Sequence, residues 1–148
     1  MIPRWHIFAG LLFSLFLWIL FPSIGFFNLL IIFLSSFLID FDHYLNAVIG
    51  TGKIGLKNAF DYYKKMIEKW TYEKIHGIRE KRDMVLFHTI EFHVLILILS
   101  FFFPVFIYVL IGMVFHSVSD IIDMTLRDSL YIREYSFFLW LRKKFIKN

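Results

Sequence analysis

At 148 residues, with 59% hydrophobic residues and a mean hydropathy of +0.67, the chain has the length of one domain and is more apolar than an ordinary soluble one. It contains no Cys, which excludes disulfides and thiolate metal sites and leaves His, Asp and Glu to hold any metal. A formal net charge of +4 would suit nucleic acid, but the placement of the basic residues points to a membrane surface, and no nucleic-acid partner is expected.

Apolar residues run nearly unbroken from Ile7 to Ile39, interrupted only by Pro22-Ser23-Ile24-Gly25. Crossing the hydrocarbon core takes about 20 residues, so this run is read as a hairpin, with spans over about 5–21 and 24–39. A cleaved signal peptide is the competing reading of the first segment, which Arg4 and Ser23-Ile24-Gly25 imitate; the second apolar segment following at once favours the hairpin. From Met84 to Met124 a second run is divided by Pro104, giving spans over about 84–103 and 105–124. Open sheets cannot satisfy their backbone in lipid, so the expected fold is all-α. It is a single membrane domain, 1–148, with four transmembrane helices in two hairpins.

The segment 50–82 between the hairpins is predicted to fold. After Gly50-Thr51-Gly52, the residues Leu56, Phe60, Tyr63, Ile67 and Trp70 recur at spacings of four and three, with Lys57, Lys64, Lys65 and Lys69 off the stripe. This is an amphipathic helix, lying either on an anionic leaflet or on the end of the bundle. The tail, 129–148, with Tyr131, Tyr135, Phe137, Phe138 and Trp140, reads as a second interfacial helix. The 16 basic residues are Arg4, Lys53, Lys57, Lys64, Lys65, Lys69, Lys74, Arg79, Lys81, Arg82, Arg127, Arg133, Arg142, Lys143, Lys144 and Lys147, and neither hairpin turn contains one. The positive-inside rule then places both termini and the central segment in the cytoplasm, the protein being a multi-pass protein of the cytoplasmic membrane.

Ionisable groups in apolar spans are costly and are functional candidates. Here they are His6 at the start of span one, Asp40, Asp42 and His43 closing span two, His88, Glu91 and His93 in span three, and His116, Asp120 and Asp123 in span four. In the assigned topology all fall at the cytoplasmic ends. His116 and Asp120 share a helical face with Gly112, which permits close helix contact; His6, Gly10 and Ser14 form a similar stripe. His88 and Glu91 share a face, whereas His93 lies about 140° round an ideal helix from His88, so both can ligate one centre only if the helix start is irregular. Taken singly, each has a structural reading. A His at a span end is commonly interfacial, Asp40 and Asp42 suit caps or lysine partners, Asp123 suits Arg127, and His76 suits solvent. It is their convergence at one depth that points to a metal. Imidazole and carboxylate suit zinc, manganese or iron, and the number of donors allows one or two ions.

His6 in Trp5-His6-Ile7, Asp40-Phe41-Asp42-His43, His88 with His93, and His116 followed by Asp120 occur in the order seen in the membrane-bound metal-dependent hydrolases. The chain resembles that family, which includes LexA-binding inner-membrane proteins and is distantly similar to zinc-dependent phospholipase C. The third motif departs from the family pattern, reading His88-Thr89-Ile90-Glu91-Phe92-His93-Val94 without Arg, Gly or Ser. The resemblance implies His6, Asp40, Asp42, His43, His88, His93, His116 and Asp120 as metal ligands and zinc as the metal. Glu91, extra to the pattern, is the candidate general base. The expected activity is hydrolysis of a phosphoester in a lipid or lipid-linked substrate at the cytoplasmic face, among anionic headgroups. The competing expectations are a scaffold or regulator with a structural metal, and a metal or proton transporter.

Overall fold

The computed structural model describes residues 3–80 and 84–146. Lys81, Arg82 and Lys147 of the expected charge pattern lie outside the described residues, as does the Arg4 side chain. The fold is helical, with no strand among the described residues: α1 (Pro3–Leu20), α2 (Phe26–Leu38), α3 (Phe41–Thr51), α4 (Leu56–Ile75), α5 (Ile90–Phe102), α6 (Val105–Leu126) and α7 (Phe137–Ile146). Two stretches are long and apolar enough to cross a membrane, Phe26–Thr51 and Val105–Leu126; Trp5–Leu20 and Ile90–Phe102 are equally apolar in character but shorter.

The predicted turns are present, each for a local reason. A 3-10 turn at Pro22–Ile24 and Gly25, whose φ of 78° suits glycine, separate α1 from α2. Pro104 divides α5 from α6, since its ring cannot continue a helix. Two expected boundaries move. Span two does not end at Ile39: the chain turns at Ile39–Asp40 and resumes as α3, so the polar Asp40-Phe41-Asp42-His43 segment straddles a break. The third apolar segment is not helical from Met84. A 3-10 turn at Leu86–His88 is followed by Thr89 in extended conformation, whose hydroxyl caps α5 by accepting from Phe92 N at 3.3 Å. That break resets the helical phase between His88 and Glu91.

Packing centres on α6, which lies against α2 on one side and α5 on the other, while α1 covers α2. Contact between α2 and α6 is close because Gly112 has no side chain. A Cβ there would overlap the Ile32 carbonyl and come within 2.8 Å of Ser35 Cβ. Gly10 of α1 faces Ser36 of α2 in the same way. Ile32 and Ser36 are consequently fully buried, and Ile39, Ile96 and Met113 form the apolar core beside them. The outer faces stay apolar and exposed, as at Phe16, Trp18, Phe26, Phe27, Phe101 and Phe102.

The helix predicted from the stripe in the central segment is α4, and it packs on α3. Tyr44 Oη accepts from Gly55 N, Tyr63 Oη donates to the His43 carbonyl at 2.9 Å, and Asn46 Nδ2 donates to Met84 O. The tail is not one long helix. Residues 129–136 form a 3-10 turn and an extended strap, and only α7 beyond it is helical.

Candidate metal site

α6 supplies the first pair. His116 and Asp120, one turn apart, are 0% and 3% exposed, on the face that Gly112 brings against α2. α1 contributes His6, the turn between α2 and α3 contributes Asp40, α3 contributes Asp42 and His43, and the 3-10 turn before α5 contributes His88. Asp40 Oδ1 is central. It lies 3.4 Å from His88 Nε2, 3.4 Å from His116 Nε2 and 3.6 Å from His43 Nε2. His88 Nε2 and His116 Nε2 are 3.1 Å apart. Asp120 Oδ2 is 3.7 Å from His116 Nε2 and 3.9 Å from His88 Nε2, and its Oδ1 is 3.2 Å from His6 Nε2. The His6 ring stacks on His116 with centroids 4.1 Å apart.

The other nitrogen of each ring fixes what these atoms offer. His116 Nδ1 is 2.8 Å from the Ser36 carbonyl, which can only accept, so Nδ1 carries a proton. His88 Nδ1 is 3.1 Å from Asp42 Oδ2, which also accepts from Phe87 N at 2.8 Å. His43 Nδ1 is 3.3 Å from the Tyr63 oxygen, whose hydrogen is directed to the His43 carbonyl. With protons on Nδ1, imidazoles in the neutral form would turn bare Nε2 lone pairs toward one another and toward carboxylates. Such an arrangement repels itself unless a cation lies among the lone pairs. A proton satisfies one pair of atoms; a divalent ion satisfies the whole set.

The distances fit a metal. Bonds of about 2.0–2.2 Å place neighbouring ligands of a tetrahedral ion about 3.3–3.6 Å apart. The separations among His88, His116, Asp40 and Asp120 bracket that value. Charge fits as well. Three carboxylates, Asp40, Asp42 and Asp120, serve the cluster, Arg133 Nη2 meets one of them at 2.6 Å from Asp120 Oδ2, and a divalent ion would offset the excess. Asp42 Oδ1 is buried and has no hydrogen-bond partner among the described residues. The groups able to share an ion are thus His6–Asp40–His116, Asp40–His43–His88 and His88–His116–Asp120.

Three expected site residues fall elsewhere. Asp42 reaches the cluster through His88, as the carboxylate that orients its ring. His93 is turned away: its Nδ1 bonds the Thr89 carbonyl at 2.9 Å and its Nε2 bonds Ser117 Oγ at 3.0 Å. Glu91 is not placed to act as a base on this cluster. Its carboxylate accepts from Ser136 Oγ at 2.5 Å, Phe137 N at 3.0 Å and Phe138 N at 3.4 Å, capping α7. The displacement of Glu91 follows from Thr89, which breaks the helix on which His88 and Glu91 would have shared a face. Of the residues given structural readings, Asp123 pairs with Arg127 at 2.9 Å and His76 is exposed, stacked on Tyr72.

The cluster opens into a cavity of about 590 Å³. His6, Asp40, His43, Asp120 and Arg133 line it, together with an apolar wall that includes Phe41, Leu56, Phe60, Met66 and Trp70. The stripe of α4 therefore faces this space as well as the exterior. Arg133, from the strap, had no sequence signal beyond its charge. Comparison with protein-family models, with curated proteins and with solved structures gave no match to this chain.

Proposed function

We propose that the protein is a membrane-embedded, metal-dependent hydrolase acting on a phosphoester of a lipid or lipid-linked substrate, as the resemblance to the membrane-bound metal-dependent hydrolases implies. The observation that carries this reading is the convergence of the Nε2 atoms of His88, His116 and His43 on Asp40 Oδ1, beside an accessible cavity. His88, His116, Asp40 and Asp120 would hold a divalent ion, zinc by their chemistry, with His6 and His43 flanking it and allowing a second. Such an ion supplies Lewis acidity and an activated water. The chain's own part is to hold the rings by Ser36, Asp42 and Tyr63, and to keep a space open beside Asp40 and Asp120.

In this reading all four apolar segments cross the bilayer, with the site at the cytoplasmic headgroups. The apolar, exposed outer faces support it, since an outer surface of that kind suits lipid. α1 and α5 are short for a span, which thinning of the bilayer or headgroup residues would accommodate. The cavity wall, aromatic with acidic and basic residues admixed, suits an amphiphile better than a bare ion, and so favours an enzyme over a transporter.

The test uses the purified full chain in detergent, with and without zinc, on a panel of lipid phosphoesters. Zinc-dependent hydrolysis is expected. Tightly bound zinc without turnover on any of them would favour a scaffold with a structural metal. For topology, Lys65→Cys in this Cys-free chain should react only with a permeant reagent in intact cells, and Ser23→Cys should label from outside. Outside labelling at residue 65 overturns the orientation.

A further inference from the structure

We infer that Arg133 is the residue that anchors the substrate's phosphate, its guanidinium keeping one contact to Asp120 and gripping with its other donors an anion bound beside the metal. The inference rests on the phosphoester reading above and adds to it the group that recognises the anion.

Arg133 is a poor candidate for a surface charge. Its side chain is 14% exposed, it lines the cavity, and its Nη2 meets the same Asp120 oxygen that faces His88 and His116. The strap that carries it is pinned on both sides. Ile132 before it is buried, Glu134 after it is buried and pairs with Lys143 at 2.8 Å, and the Tyr135 carbonyl accepts from Ile90 N at 2.9 Å. The Glu91 cap on α7 completes the anchorage. Of the cations lining the cavity among the described residues, the other is Lys69, which pairs with Glu73 on its own helix.

Without a metal, Asp120 is a full partner for the guanidinium. Once Asp120 binds a divalent ion, that ion and Arg133 become like charges sharing one carboxylate. An anion placed between them relieves the repulsion. A guanidinium offers five N–H donors in a planar fork, and one Nη2 contact to Asp120 leaves others for a tetrahedral oxyanion. Phe60 and Trp70 of α4 line the same space and suit the hydrocarbon part of such a molecule. The matching ligand is a phosphate monoester or diester carrying an apolar chain.

Inorganic phosphate is the probe, titrated calorimetrically into the zinc-loaded full chain, with zinc content and lipid phosphoester turnover measured alongside. Wild type should bind phosphate only when zinc is present. Arg133→Gln should keep zinc and weaken phosphate binding roughly tenfold to a hundredfold, the worth of a charged hydrogen bond. Arg133→Lys, which keeps the charge on Asp120 and so guards against misfolding, should weaken it less, because it restores the charge without the fork. Unchanged phosphate affinity in both variants overturns the inference. So does loss of zinc from Arg133→Gln, which would make Arg133 a partner of Asp120 alone, and so does a zinc-loaded wild type that binds no phosphate. Arg133-dependent phosphate binding without any turnover supports the anchor while sinking the hydrolase reading.

Discussion

Two sets of ionisable side chains use the same chemistry differently. In one, His6, Asp40, His43, His88, His116 and Asp120 turn ring nitrogens and carboxylate oxygens toward one another at 3.1–3.9 Å. In the other, Glu91 and His93 are supplied with partners: three donors for the carboxylate, a carbonyl and a hydroxyl for the ring. A buried polar group is tolerated when its partners are present, so the second set needs nothing further. The first set could hold a metal ion. Residue type and burial do not distinguish a lock from a ligand; what each lone pair faces does.

The comparison breaks most directly through metal content. His116→Ala with Asp120→Ala should abolish zinc binding by the purified protein, whereas Glu91→Gln with His93→Gln should leave it at the wild-type level in elemental analysis. Equal loss from both double variants would mean that the two sets are one site. A smaller effect is expected at Asp42, which holds His88 by Nδ1. Asp42→Asn keeps the ligands that the cluster brings together and should lower zinc affinity by about 10- to 100-fold, measured by competition with a chelating dye. An unchanged affinity would reduce Asp42 to holding the Phe87 backbone N–H.

Glu91→Gln sharpens the contrast from the other side. Losing the charged cap of α7 should cost about 1 kcal/mol of stability, seen as a lowered Tm, with zinc stoichiometry untouched. Any loss of turnover should be partial and come through loosening of the strap behind Arg133; complete loss with Tm unchanged would restore Glu91 as a base. The smallest effect belongs to His93→Gln, which keeps hydrogen-bonding capacity toward Ser117 and should shift stability by less than about 1 kcal/mol.

Outside the spans, Tyr135 marks how closely the strap is packed: burial raises its phenol above the ordinary value, and its hydroxyl points at Met124 Sδ at 3.9 Å. A loosened strap in Glu91→Gln should let that phenol titrate nearer its free value, a change that ultraviolet difference spectra would follow.

The sequence by itself determined the helices and most of the residues that meet. Long apolar runs allow only helix in a lipid-like setting, and Pro22, Gly25 and Pro104 end them for reasons local to each residue. The spacing of His116 and Asp120, with Gly112 a turn earlier, was enough to place them on one face turned to a neighbour, because helical geometry relates i to i+4 whatever surrounds it. Tertiary structure decided what local periodicity does not encode. Thr89, extended, broke the phase that would have joined Glu91 to His88, and the turn at Asp40 set Asp40 and Asp42 to different tasks. The strap brought Arg133 to Asp120, 13 positions away along the chain and across a turn. The tautomers too came from partners distant in sequence: a carbonyl 80 residues away for His116, and a carboxylate 46 residues away for His88. Which lone pair faces which is fixed by how helices pack, and a sequence carries that only in the sum of all its contacts.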